Sequence, residues 1–278
     1  MPLRRVATGA RTGEAAGGRD VTALPRARQR STCQDPAPIR TPPQGAARVR
    51  RVTDETPDAA GSRDEEAELR RTWDELVRTA RRTTEDGLVA GTSGNVSARV
   101  GDLVLVTPTG VPYDRLGPDD LLAVDLDGRT RAGRLRPTSE LPLHLAVYRA
   151  TGARAVVHTH APHATAVSTL VTELPAVHYM CAALGGPVRV AEYATYGTEE
   201  LARAVLTALR DRTGCLMRNH GTLVHASTLR RAFDDTAQLE WMCRVWLLAS
   251  AAGTPALLPP GEIDRVAERL RGYGQPGA

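Results

Sequence analysis

From about Asp64 onward, apolar residues fall into short runs that switch between the helical and the strand period. Leu69, Trp73, Leu76, Val77 and Ala80 recur three and four positions apart with charges between them, which predicts a helix ending near Asp86-Gly87. Gly91-Thr92-Ser93-Gly94-Asn95-Val96-Ser97 reads as a turn leading into a strand. Residues 103–106, a continuous apolar run, and 121–126, apolar but for Asp125, are closed by Thr107-Pro108-Thr109-Gly110 and Asp127-Gly128 and read as strands. A helix is predicted over residues 140–150, with Leu141, Leu145 and Tyr148 on one face. A strand follows over 155–159, a helix from about His163, and a strand over 187–190. Thr198, with Glu199 and Glu200 behind it, opens a helix to Arg210, because a hydroxyl caps the first turn and the helix dipole favours acids there. Strands over 215–217 and 222–224 flank Asn219-His220-Gly221, and residues 229 to about 250 form one long helix. This alternation predicts a single α/β domain with a covered sheet over residues 65–278.

Residues 1–64 follow neither period. They are rich in Arg, Pro, Gly, Ala and Thr, and cannot bury enough apolar surface to offset the entropy of ordering. They are expected to be a disordered extension. This segment also distorts the charge balance. The 278-residue chain is formally +4, but residues 1–51 hold eleven arginines against three acids, so the rest is net acidic. A basic surface for nucleic acid is therefore not indicated. Every basic side chain is arginine; there is no lysine.

No run approaches the ~18 apolar residues of a membrane helix, and the N-terminus lacks the apolar stretch of a secretory signal. A cytoplasmic protein without a membrane partner is expected. Cys33, Cys181, Cys215 and Cys243 have the spacing of neither a paired motif nor a disulfide framework. The last three sit in apolar contexts that predict core positions.

The chemistry-bearing residues lie between Gly91 and Gly221. His158-Thr159-His160 follows the apolar run Ala155-Val156-Val157. On a strand, positions two apart face the same side, so both imidazoles can grip one metal ion. Three protein ligands with one open position is the arrangement of catalytic zinc, and the best third candidate is His220, although a histidine in a tight turn is also ordinary turn chemistry. His144, His163, His178 and His225 are single, with structural roles at least as plain. Glu140 follows Thr138-Ser139 at a helix start, where an acid usually serves the dipole; the other reading is a general base beside the metal. The small-residue loops at 91–95, 107–110 and 137–139 offer backbone N–H groups and hydroxyls that can bind phosphate without lysine. None has the spacing of a nucleotide loop.

Together these stretches are highly specific. From about residue 66 the chain resembles the class II aldolase/adducin family, and within it the fuculose-phosphate aldolases. The resemblance runs through residues 91–97, Val106-Thr107-Pro108-Thr109-Gly110-Val111-Pro112-Tyr113, Thr138-Ser139-Glu140, 156–160, Pro175-Ala176-Val177-His178-Tyr179-Met180, Tyr193-Ala194-Thr195-Tyr196-Gly197-Thr198 and His220-Gly221. It implies a three-layer α/β/α fold around a central mixed, largely antiparallel sheet. It also implies Zn2+ held by His158, His160 and His220, with Glu140 as acid/base and a further metal ligand when substrate is absent. Gly94, Asn95, Thr109, Gly110, Thr138 and Ser139 match phosphate-binding loops. Tyr179 matches a tyrosine reaching the site of a neighbouring subunit in a homotetramer, and Tyr273 one on a C-terminal tail. The activity implied is reversible cleavage of a ketose 1-phosphate into dihydroxyacetone phosphate and a small aldehyde. Sister activities of the superfamily are pentulose-phosphate 4-epimerisation, whose enzymes carry an aspartate where Ala183 aligns, and methylthioribulose-phosphate dehydration. A non-catalytic adducin-like module would lack the histidines. Three departures from the family pattern stand out: Asn219 in place of a histidine, Thr138 in place of a serine, and Leu141 in place of an aromatic that is expected to shape the aldehyde pocket.

Overall fold

The computed structural model describes residues 59–259 and 261–272. The disorder expected for the N-terminal extension thus falls, but for its last six residues, outside the described residues. So does Tyr273.

The first helix, α1 (Ala59–Glu85), begins several residues before the expected onset at Asp64. The added residues lie ahead of its apolar stripe, so periodicity could not mark them. Its stripe of Trp73, Leu76, Val77 and Ala80 is buried; burying each large apolar side chain contributes about 1.5–3 kcal/mol. The chain then forms β1 (Asn95–Val100), β2 (Leu103–Val106), β3 (Ala123–Asp125), β4 (Thr130–Ala132), α2 (Leu141–Ala150), β5 (Ala155–Thr159), α3 (Pro162–Leu170), β6 (Glu173–Leu174), β7 (Val188–Ala191), α4 (Glu199–Ala208), β8 (Gly214–Met217), β9 (Gly221–Ala226), α5 (Leu229–Ala252) and α6 (Glu262–Leu270). Thr198 caps α4 by accepting from the Leu201 amide, as expected, and Thr228 caps α5 in the same way through Arg231.

The strands form one nine-stranded sheet in the order β4-β3-β2-β1-β5-β9-β8-β7-β6. Only β7 and β8 pair in parallel; every other neighbour is antiparallel. The sheet is mixed and largely antiparallel, as the resemblance implied. Alternation along the strands sorts the core into layers. Val156, Cys215, Met217 and Leu223 pack with α2 and α4 on one face. Ala155 and Val157 pack with α1 on the other, where Leu216 and Val224 meet α3 and α5. Cys181, Cys215 and Cys243 are buried free thiols. Among the described residues, no helix is long and apolar enough to cross a membrane.

Candidate metal centre

The site forms where β1, β5 and β9, adjacent at the middle of the sheet, run out into loops. His158 is the penultimate residue of β5 and lies opposite Asn95 on β1 and Leu223 on β9. Alternation puts its side chain on the α2 face with that of Val156, and the imidazole is fully buried. Its Nδ1 donates to the Thr222 carbonyl at 2.7 Å, which leaves Nε2 aimed at the site. A backbone partner on the far nitrogen is how metal-ligating histidines are oriented. His160, just past the strand, turns its Nε2 to within 3.1 Å of that of His158.

His220 arrives from the β8–β9 hairpin. Asn219, at φ 55°, takes the left-handed turn conformation, which Asn tolerates better than most residues, and the His220 amide donates to the Met217 carbonyl at 3.0 Å. Gly221 has no room for a side chain: a Cβ there would sit 2.0 Å from the Thr159 carbonyl oxygen and 3.2 Å from the His160 Cα. The close approach of β9 to β5 that brings His220 to His160 therefore requires glycine. Gly221→Ala is expected to lower the melting temperature, by the ~1–3 kcal/mol typical of overpacking or more, and to cut bound metal per chain. Native metal content in a folded Gly221→Ala protein would count against this account.

Glu140 precedes α2 and caps nothing with its side chain. The carboxylate, 4 % exposed, instead accepts from Asn95 Nδ2 at 3.0 Å and lies 3.0 Å from His158 Nε2 and 3.5 Å from His220 Nε2. Serving the helix dipole does not explain that placement. Burial would raise the Glu140 pKa, but the charge of His158, hydrogen bonds from His158 and Asn95, and the charge of His220 hold it well below the usual carboxylate range. Burial likewise opposes a charge on His158, and the Glu140 carboxylate overcomes it, so the pKa of His158 is raised. His160 and His220 are pushed down to about 4, by burial first and by the charge of His158 second.

One ligand atom from each of Glu140, His158, His160 and His220 lies within 4.8 Å of the others. Glu140 Oε1 is buried with no hydrogen-bond partner, a costly state for an isolated carboxylate oxygen and one that a cation relieves. Three imidazole nitrogens and a carboxylate suit zinc and other first-row divalent ions. The residues fit a metal. Because the ligands must shed protons to bind it, and the pKa of His158 is raised by the Glu140 carboxylate, the apparent zinc affinity should weaken as pH falls. Calorimetric titrations in buffers of different ionisation enthalpy would count the protons released; no release, and an affinity flat between about pH 6 and 8, would contradict this.

The cluster forms the floor of a cleft of about 340 Å³ lined by Gly94, Asn95, Thr109, Gly110, Thr138 and Ser139 together with Glu140, His160 and His220. All three small-residue loops singled out in the sequence meet there. They are tied to one another: the Thr138 amide donates to the Thr107 carbonyl, the Thr109 amide to the Arg136 carbonyl, and the Tyr113 hydroxyl to the Gly94 carbonyl at 2.7 Å. Gly94, at φ 92°, lies so near β5 that a Cβ would come within 2.9 Å of the His158 carbonyl. The Asn95 side chain is engaged by Glu140 and His144, which leaves its backbone for the cleft.

Tyr193, Tyr196 and Asn219 also line the cleft. The first two were part of a recognised stretch but carried no role, and their exposure is the only sign of one. Tyr179 lies elsewhere, half exposed beside Arg231 and Asp234. Leu141, at the start of α2, packs partly buried against the core, as expected of the apolar face it shares with Leu145 and Tyr148. His163 binds Glu240 at the start of α3, and His178 packs on Tyr179 and Trp241.

A sequence model described as the class II aldolase and adducin N-terminal domain matches residues 74–247. A 5-deoxy-D-ribulose 1-phosphate aldolase of Bacillus thuringiensis is 37 % identical over 210 residues, spanning 74 % of this chain and 99 % of that protein. A 5-methylthioribulose-1-phosphate/5-deoxyribulose-1-phosphate aldolase of Rhodospirillum rubrum is 39 % identical over 203 residues, spanning 72 % and 90 %. Among solved structures, an L-fuculose 1-phosphate aldolase superposes with a TM-score of 0.70 at 35 % identity, over 72 % of this chain and 96 % of that one.

Proposed function

The chain belongs to the class II aldolase and adducin family and is a lyase of its aldolase class, and from that premise we propose that it reversibly splits a ketose 1-phosphate of the L-fuculose 1-phosphate kind into dihydroxyacetone phosphate and a small aldehyde such as L-lactaldehyde. The observation that carries this reading is the Glu140 carboxylate, buried among three converging imidazoles on the floor of a cleft with hydroxyl- and amide-lined walls.

His158, His160 and His220 hold the metal, which we take to be zinc, and Glu140 completes the set when substrate is absent. When bound, the ion supplies Lewis-acid stabilisation of negative charge on substrate oxygens. Breaking the C3–C4 bond leaves its electron pair on C3 of the three-carbon fragment, and Glu140 delivers a proton there; in condensation it removes that proton. Gly94, Thr109, Gly110, Thr138 and Ser139 receive the phosphate through backbone N–H groups and hydroxyls, with the Asn95 backbone beside them. Tyr179 works in the site of a neighbouring subunit of a homotetramer, on the aldehyde-side proton, with Tyr273 of the C-terminal tail alongside. The working compartment is the cytoplasm.

The relatives' substrates share the ketose 1-phosphate half and differ at the aldehyde end. Release of dihydroxyacetone phosphate from L-fuculose 1-phosphate, 5-deoxy-D-ribulose 1-phosphate and 5-methylthioribulose 1-phosphate therefore tests the reaction and ranks the aldehyde together. Release from at least one is expected. A zinc-loaded protein that releases none, or that returns an epimer or a dehydrated product, would overturn the proposal.

A further inference from the structure

Behind Glu140 lies a line of buried polar side chains that a single-domain core does not need for packing. Asn95 touches Glu140 through Nδ2 and His144 through Oδ1; the other ring nitrogen of His144, Nδ1, is 2.6 Å from Ser97 Oγ, which is 2.8 Å from the Tyr148 hydroxyl. His144, Ser97 and Tyr148 are essentially inaccessible to solvent. They come together because Asn95 and Ser97 alternate onto the α2 face of β1, while His144 and Tyr148 lie one helical turn apart on α2.

We infer that His144 is a positioning residue, which with Ser97 and Tyr148 forms a one-way chain of hydrogen bonds that fixes the Asn95 amide and, through it, the Glu140 carboxylate. The direction follows from chemistry, and the inference rests on the reading of Glu140 as the acid/base. An ionised carboxylate only accepts, so Asn95 must offer it the NH2 group. The Asn95 carbonyl then faces His144, which must present Nε2–H. In a neutral ring Nδ1 is then the acceptor, so the Ser97 hydroxyl donates to it and accepts in turn from Tyr148. Burial keeps the ring neutral, with its pKa pushed down to about 3. Each link has one workable orientation. Reversing any of them would turn the Asn95 oxygen toward Glu140 and set acceptor against acceptor.

The test uses dihydroxyacetone phosphate alone in deuterated water, where exchange of one C3 hydrogen reads the proton transfer by itself. His144→Leu removes both ring partners. His144→Gln keeps an N–H where Nε2 stood. The expected result is a kcat for exchange lowered about 10–100-fold in His144→Leu, the scale of a small misplacement of a reacting group. KM should stay within about twofold, with zinc per chain unchanged, and His144→Gln should recover to within about fivefold of native. Native kcat per zinc-loaded chain in His144→Leu, or equal loss in both variants, would overturn the inference. If even the native protein exchanges nothing, the aldolase reading is what fails. The relay is then judged on its own by ring-15N spectra of the native protein: an Nε2–H tautomer for His144 supports it, and an Nδ1–H tautomer refutes it even if the variants do not fold.

Discussion

Glu140→Gln is expected to lower turnover by about 10²–10⁴-fold, the usual contribution of a positioned proton-transfer group, with fold and metal content retained. Glutamine has nearly the same shape, and its carbonyl oxygen can still accept from Asn95 Nδ2. What disappears is the group that exchanges a proton and the charge that raises the pKa of His158. Losing that charge makes His158 easier to deprotonate, so three neutral imidazoles stay available to the ion. Were Glu140 only a helix-start acid, the change would cost about 0.3–1 kcal/mol of stability through the dipole, and turnover would barely move. The decisive readout is C3 hydrogen exchange on dihydroxyacetone phosphate in deuterated water, scored beside metal analysis. Native exchange in zinc-replete Glu140→Gln would mean that another group moves the proton.

Loss of a metal ligand should have an equally large effect on turnover, with a contrast inside it. His160 lies beyond the end of β5 and is part-exposed, whereas His158 is wholly buried on the central strand. His160→Ala should bring bound zinc and activity to background while the melting temperature of the ion-free protein stays close to native. His158→Ala should do the same to zinc and activity but also destabilise. It opens a cavity and strips the Thr222 carbonyl of its donor, together worth about 2–4 kcal/mol, or several degrees of melting temperature for a domain of this size. Ion-free thermal unfolding and metal analysis of both variants would check this. Substantial zinc in either variant would remove that histidine from the ligand set.

The convergence of His158 and His160 was legible in the sequence because alternate positions of an extended run share a face. The loops were legible as turn chemistry, and the long helices as stripes. What the sequence hid has a physical reason in each case. Strands β4 and β6, three and two residues long, carry too few positions for any period to register. Helix α6 is the exception, because Ile263, Val266, Ala267 and Leu270 recur at helical spacing and form its half-buried face. Helix α1 starts ahead of its first apolar contact. His144 looked like one more helical histidine, because its importance lies in which neighbours sit across the sheet at Asn95 and Ser97, a pairing set by tertiary structure alone.

The cleft's makeup bears on how quickly substrate arrives. Among the described residues its lining contains no arginine, and the one side-chain carboxylate there is buried among the histidines. Its walls offer dipoles, which act on an anion at contact distance but project little field into solution. The arginines of the folded part lie outside this lining. Long-range attraction that speeds association of charged ligands is the component that dissolved salt suppresses. With only dipoles in the walls, the long-range pull on an anion would come chiefly from the metal ion on the floor, so the salt dependence of substrate capture should largely vanish in the ion-free protein.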